Sequence, residues 1–384
     1  MRIGVLTTSY PRWPGDPAGP FVAALNRWLV AAGHQVVVLA AGSAADRLGP
    51  HLAALETPPI LDDSGSVVRR VPSSLFYAGG APDALLSGPT ALLEAARFSA
   101  VLAARFHDLH RRYDAFVSHW LLPCGVLAAA LSDGRPHVAV AHSSDVHLLR
   151  RLRGQAVVRW IGRRARLVYS AASLRVPGAA GHVVPMGIDC AHFAASPDER
   201  RALRAALGVD RPTVLFLGRL VAVKGISVLL QALSSLPDAV LWIAGDGPLR
   251  PALMEQASVL GPRVQFLGTI VGDERRRRLL ACDVLALPSL RLPDGRTEGA
   301  PQVVLEALAA GAKVVASDVG GVADLLGDAG WCLPPGDVAA WQAGLAQALQ
   351  TRDDVHPRRA TAQAARFDWS LTAPRIVGEP FGCS

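Results

Sequence analysis

Residues 213–248, TVLFLGRLVAVKGISVLLQALSSLPDAVLWIAGDGP, contain a complete strand–helix–strand cycle. An apolar run at 213–218 reads as a strand, a polar turn carries Arg219 and Lys224, 226–235 reads as a helix, and 239–244 reads as a second strand ending in Gly-Asp-Gly-Pro. Short apolar runs alternating with helical stretches are the signature of a doubly wound parallel sheet. The cycle continues downstream with strand candidates at 264–268, 284–288 and 313–317. Upstream it recurs at 3–8, 35–40, 67–71, 115–118, 137–141, 167–170 and 182–185. A polar, Pro-containing connector, CAHFAASPD near 189–198, separates the two series. The expected fold is α/β: two Rossmann-like domains, 1–189 and 190–365, facing across a cleft. In the tail, 366–384, Pro374 and Gly378 are expected to interrupt any long helix closing back on the first domain.

The bulk properties fit that reading. The 384 residues are 51% hydrophobic and 18% charged, with mean hydropathy +0.28, a globular composition long enough for two cores. The N-terminal MRIGVLTTSY, followed by PRWPGDP, supports neither a signal peptide nor a membrane helix, so a cytoplasmic protein is expected. Cys124, Cys190, Cys282, Cys332 and Cys383 are odd in number and scattered, which argues against a disulfide framework or a zinc site. The net charge of +7 lies wholly in the first half: 19 basic and 12 acidic residues over 1–189, against 20 and 20 over 190–384. It peaks at 147–166, HLLRRLRGQAVVRWIGRRAR, where seven Arg meet no acid. Such a segment can dock on an anionic membrane surface; an overall preference for Arg (37 of 39 basic residues) is the alternative explanation.

Open α/β sheets bind ligands beyond the carboxyl ends of their strands, and the unusual polar residues fall there. In EGAPQVVLE, 298–306, Pro301 suits the first helical position, which puts Glu298 just outside a helix and Glu306 inside it. The neighbours of Glu306 are apolar on every side, so the acid is expected to be buried and to need a partner. Arg219 and Lys224 suit a diphosphate, the one as a planar fork and the other as a point charge, and placement favours that reading over solvated loop cations. Gly245-Asp246-Gly247 fails as GxGxxG because Arg250 holds the third glycine position, which disfavours a nicotinamide site. Gly268-Thr269-Ile270 offers backbone to a flat ring, and Gly320-Gly321 follows the strand at 313–317. In the first half His119 and His142 each follow a strand candidate, as a site pair or as structural histidines. The loop 14–20, PGDPAGP, could present N–H groups to an anion or be a stiff surface loop. No GxSxG elbow, HExxH pair or P-loop occurs.

GRLVAVKG, IAGDGP, FLGTI, DVLALPS, EGAPQVVLEALAAGAKVVASDVGG and VVPMGID together resemble, in order and spacing, the retaining glycosyltransferases of family 4, which have the GT-B fold. The resemblance implies a metal-independent hexosyltransferase whose co-substrate is a UDP-, GDP- or other nucleotide diphosphate sugar, without a further cofactor. Arg219 and Lys224 would hold the diphosphate, Glu306 the ribose hydroxyls and Glu298 the donor sugar. The amides of Gly299, Ala300 and Gln302 would face sugar and phosphate, and Ile270 would meet the base through its backbone. His119 matches the active-site histidine, Gly19 the glycine loop beside the diphosphate, and His142 is an acceptor-site or supporting neighbour. The catalytic set would be Glu298, His119, Arg219 and Lys224, with a glycan or lipid-linked acceptor on the first domain and no nucleic-acid partner. Two departures stand out: Met186 where Asn is common, and a tail without the long helix that crosses back. A sugar-nucleotide epimerase and a noncatalytic basic membrane-associated protein are the competing readings.

Overall fold

The computed structural model describes residues 1–13, 15–43, 60–77, 88–351 and 355–381; Pro14 of the first glycine-proline loop and Cys383 lie outside them. The chain forms two compact units, Met1–Gly187 with the C-terminal segment from Trp369, and Ile188–Asp368.

In the first unit β1 (Arg2–Thr7), β2 (Gln35–Gly42), β3 (Ile60–Leu61), β4 (Val67–Pro72), β5 (Ala115–His119), β6 (His137–Ala141), β7 (Arg166–Tyr169) and β8 (His182–Val183) form one sheet. Its order is β3-β4-β2-β1-β5-β6-β7-β8, parallel throughout except for the antiparallel β3–β4 edge. In the second, β9 (Thr213–Leu217), β10 (Val240–Ala244), β11 (Val264–Gly268), β12 (Val284–Leu287), β13 (Lys313–Ser317) and β14 (Trp331–Leu333) run β11-β10-β9-β12-β13-β14, all parallel. Each order reverses direction once, between β1 and β5 and between β9 and β12. The loops that leave these strands therefore splay apart and expose backbone at the carboxyl edge. The central strands are buried along their whole length, β9 and β5 at every residue, because helices cover both sheet faces. The sequence pattern misses β3 and β14, which at two and three residues are too short to show a period.

The polar connector carries two capped helices: Asp189 caps Cys190–Phe193 by accepting from the His192 N–H (3.0 Å), and Ser196 caps Pro197–Ala206 by accepting from the Glu199 N–H (3.1 Å). In the tail, the helix Trp369–Val377 runs through Pro374 and stops at Gly378, whose N–H donates to the Pro374 carbonyl (2.8 Å). A mid-helix proline costs about 3 kcal/mol. Burial of Trp369, Ile376, Val377 and Phe381 against Ile3, Val5 and Leu25, at about 1.5–3 kcal/mol per large apolar side chain, outweighs it. Arg166 holds the end of that helix through the carbonyls of Arg375 (3.0 Å) and Ile376 (3.2 Å). Met186, 2% exposed, packs in the same cluster, so the site of an expected Asn is apolar core here.

Candidate active site

The second unit gathers its polar residues at the carboxyl ends of β9 and β12. The turns after neighbouring strands are bonded to one another: Gly218 N–H to the Ala244 carbonyl (3.0 Å), Leu220 to Asp246 (2.9 Å), and Gly245 to Gly268 (2.6 Å). The Arg219 side chain stands exposed on this rim with no hydrogen bond or ion pair among the described residues. Lys224 ends a 3-10 turn and places Nζ 2.5 Å from Glu298 Oε1, with side-chain exposures of 17% and 12%. Ser289, fully buried after β12, donates to the same oxygen at 3.1 Å. The loop behind Glu298 is anchored where the Gly321 N–H donates to the Gly299 carbonyl (2.7 Å), giving the Gly320-Gly321 turn a supporting role. The structure thus joins the two cation–acid motifs that the sequence shows 74 positions apart (298 − 224).

The helix after this loop spans Gln302–Ala309. Pro301 precedes it rather than opening it: at φ −70, ψ 117 it offers no side-chain cap, and its extended ψ carries the chain out of the Glu298 loop. Glu306 is 8% exposed, and the partner it needs is Arg275, on the helix Gly272–Ala281, with Nε at 2.7 Å and Nη2 at 2.5 Å from Oε2. Sequence reasoning did not single out Arg275 or Ser289. Arg275 opens a run of four arginines that looks like a solvated face, and packing alone separates them. Arg276 bonds Glu199 and the carbonyls of His192 and Ala194, while Arg278 pairs with Glu274 and lies 4.4 Å over the Trp242 ring. Ile270 is half-buried, its side chain packed on the core, which leaves its backbone beside the left-handed Gly268 (φ 67) for contact.

The first unit brings its own four residues together. His119 ends β5, and its Nδ1 lies 3.2 Å from Nε2 of His142, the rings nearly parallel at 17°. Phe21 and Trp120 complete the group, with ring centroids 5.1 and 4.7 Å from His142. Gly19, immediately before the helix Pro20–Ala31, has φ 63, and a Cβ there would lie 2.5 Å from the Ser9 carbonyl oxygen. Buried Asp16 fixes that loop, accepting from the Arg12 N–H (2.9 Å), its Nη2 (2.8 Å) and the Ala18 N–H (3.2 Å). Trp120 has φ 64 and ψ 124, a costly conformation for a bulky side chain. Asp145 holds it by accepting from the next N–H, that of Leu121, at 2.5 Å, and from Val146 at 2.9 Å. With no cation beside it, burial pushes Asp145 up to about 7 against those donors.

Burial holds both histidines neutral: His142 is pushed down to about 3, and His119, with the neighbouring ring as a second cause, lies well below the usual imidazole range. His119 Nε2 is buried with no hydrogen-bond partner among the described residues. A neutral buried histidine contributes stability that is complete above its unfolded pKa of about 6.5 and is lost as pH falls toward its folded value. Between pH 8 and 5 that loss is about 2 kcal/mol for His142. His142→Phe should therefore show a weaker loss of stability over this range by that amount in denaturant unfolding. An unchanged pH dependence would contradict a neutral His142.

The arginine-rich stretch is two helices, Ser143–Arg151 and Gln155–Gly162, with a break between them. Arg150 is tied to the carbonyls of Ser173 and Arg175, Arg164 stacks 4.5 Å over Trp160, and Arg166 caps the tail helix. Arg151, Arg153, Arg159 and Arg163 remain exposed, beside Leu152 at 61% exposure. Among the described residues no helix is long and apolar enough to cross a membrane, and no cluster of His, Cys, Asp or Glu could hold a metal ion.

This geometry pairs a lysine with a glutamate at one switch point and places a second, buried glutamate on the following helix. Residues 18–176 match the family model described as glycosyl transferase 4-like domain, and 211–351 match glycosyl transferases group 1. The chain belongs to these family 4 glycosyltransferases of GT-B fold. It is 36% identical over 235 residues to a GDP-mannose-dependent alpha-(1-6)-phosphatidylinositol monomannoside mannosyltransferase of Mycolicibacterium smegmatis, covering 58% of this chain and 60% of that one. A phosphatidyl-myo-inositol mannosyltransferase of Propionibacterium freudenreichii is 28% identical over 98% of this chain and 94% of its own. With that exception, the chain spans about half the length of the curated relatives it matches first. The Anabaena protein HepE in complex with UDP superposes with a TM-score of 0.69 at 22% identity, covering 98% of both chains, which shows the shared fold.

Proposed function

We propose that this protein is a retaining, metal-independent glycosyltransferase. It moves a hexose from a nucleotide diphosphate sugar to a hydroxyl of a lipid-linked or glycan acceptor in cell-surface glycan assembly. The observation that carries the reading is the Lys224–Glu298 pair set beside Arg219 on the β9–β12 rim. Arg219 and Lys224 grip the diphosphate and offset the charge that grows on it as the sugar leaves, the work a divalent cation would otherwise do. Glu298 accepts from the sugar hydroxyls, with the Gly299, Ala300 and Gln302 amides alongside. A carboxylate already engaged by Lys224 and Ser289 is a poor nucleophile, which favours a positioning role and front-face transfer, the leaving phosphate taking the acceptor proton. Glu306 takes the ribose and the backbone of Ile270 the base, while Gly19 and His119 serve the diphosphate and the transferred sugar, with His142 supporting His119. The relatives named for GDP-mannose and phosphatidylinositol, and the UDP-bound neighbour, support the donor and acceptor classes.

Exposed Arg151, Arg153, Arg159 and Arg163 with Leu152 fit an anionic membrane surface, which would place the protein on the cytoplasmic face of a membrane. The test is a thermal-shift screen of UDP, GDP, ADP and their sugars, followed by transfer assays with the sugar that binds. A ligand at 100 times its Kd stabilises by about 2.7 kcal/mol, so the true donor raises Tm by several degrees. No shift with any of them would remove the reading. Binding to phosphatidylglycerol vesicles that persists at high salt would remove the electrostatic membrane contact.

A further inference from the structure

Glu306 is gripped in an unusual way. Both N–H groups that Arg275 offers, Nε at 2.7 Å and Nη2 at 2.5 Å, converge on the single oxygen Oε2. Oε1 receives no hydrogen bond among the described residues. An Arg that faced the carboxylate fork to fork would engage both oxygens and leave a ligand only the second lone pair of each. Here the carboxylate is half-occupied and fixed in rotation, and its second oxygen is kept as an acceptor.

We propose that Arg275 is a positioning residue: it orients Glu306 so that Oε1 reads the ribose hydroxyls of the donor, and so sets the preference for ribo- over 2′-deoxyribonucleotides. The inference rests on the donor reading above and deepens it. Three physical effects point the same way. A carboxylate 8% exposed on an otherwise apolar helix needs a cation to stay in place, and no other cation reaches Glu306 among the described residues. A fixed acceptor spares the nucleotide the rotamer entropy of ordering it. The guanidinium also offsets the repulsion between Glu306 and a diphosphate bound to the same unit, so the acid can serve the ribose without opposing the phosphates. Both helices that meet here, Gly272–Ala281 and Gln302–Ala309, belong to the same compact unit, which keeps the pair rigid.

The experiment is calorimetric titration of the full chain with UDP, 2′-deoxy-UDP, GDP and 2′-deoxy-GDP. A hydrogen bond to a charged acceptor corresponds to roughly a 10- to 100-fold preference, which wild type should show for the ribo form of whichever base it binds. In Arg275→Met that ratio should fall to about 2 or less, with the deoxy ligand bound nearly as in wild type; Arg275→Lys should retain an intermediate ratio. Glu306→Gln should show the same collapse, and the double variant Arg275→Met/Glu306→Gln no further loss, because the two residues act as one. If Arg275 touches the diphosphate directly, ribo and deoxy affinities fall together and the ratio holds, which overturns the proposal. If Arg275 only stabilises the fold, Tm falls in Arg275→Met while the ratio holds, and that too overturns it. If wild type binds none of the four, the donor reading fails first and this inference with it.

Discussion

Lys224→Ala is expected to lower kcat/KM for the sugar donor by about 10³, equivalent to about 4 kcal/mol of transition-state stabilisation. The substitution acts twice. It removes one of the two cations assigned to the diphosphate, and it leaves Glu298, 12% exposed and 2.5 Å away, with a Ser289 hydroxyl but no charge partner. An unpaired, largely buried carboxylate either swings away from the sugar or opposes the incoming phosphates. Glu298→Gln keeps the shape of the side chain, removes that repulsion and should lose less. In the double variant Lys224→Ala/Glu298→Gln the effects should fall short of additivity by about 1–3 kcal/mol, as expected for residues in direct contact. Steady-state kinetics over a range of donor concentrations decides it. Rates for Lys224→Ala within about threefold of wild type would show that the lysine is a structural partner of Glu298 and has no part in the chemistry.

The second large effect falls on stability. A Cβ on Gly245, at φ 138, would stand 1.9 Å from the Gly218 carbonyl oxygen, and that oxygen is backbone that cannot rotate aside. Gly245→Ala must pull apart the turns after β9 and β10 that carry Arg219. Its expected cost is about 3 kcal/mol or more, combining backbone strain with overpacking. At about 2–4 °C per kcal/mol, the transition of the second unit should fall by roughly 6–12 °C. Gly208→Ala is the comparison: φ there is 65, but nothing lies within 4 Å of the added carbon, so only the conformational penalty of about 1–2 kcal/mol applies. Differential scanning calorimetry of both variants separates the two terms. Equal shifts would mean that the close approach of the two turns does not matter.

Strands were legible where the signal was local. The expected 137–141, 264–268 and 313–317 coincide with His137–Ala141, Val264–Gly268 and Lys313–Ser317, because an apolar run between turns needs no distant partner to be recognised. The reading of Pro374 as a helix breaker fails for the opposite reason. Local propensity counts one missing N–H and one clash, while four large apolar side chains of the same segment bury themselves in a core assembled from β1, β2 and the helix Pro20–Ala31. At the connector near 189–198 the polar residues Asp189 and Ser196 serve as helix caps, a use that polarity alone does not distinguish from a turn.

For the site, the residue types and their positions at strand ends were present in the sequence: two acids eight residues apart, a cation pair after β9, and His119 and His142 at the ends of β5 and β6. Sequence alone determined that these groups fall at or beyond the carboxyl ends of strands, because strand period and turn composition are properties of neighbours along the chain. Only the tertiary structure decided their pairing. It gave Lys224 to Glu298 and chose Arg275, from four consecutive arginines, for Glu306. It also stacked His119 on His142 in a site dry enough to keep both neutral. Ion pairing and burial depend on distances of a few ångströms between elements far apart in sequence, and those distances are set by how the helices pack on the sheet.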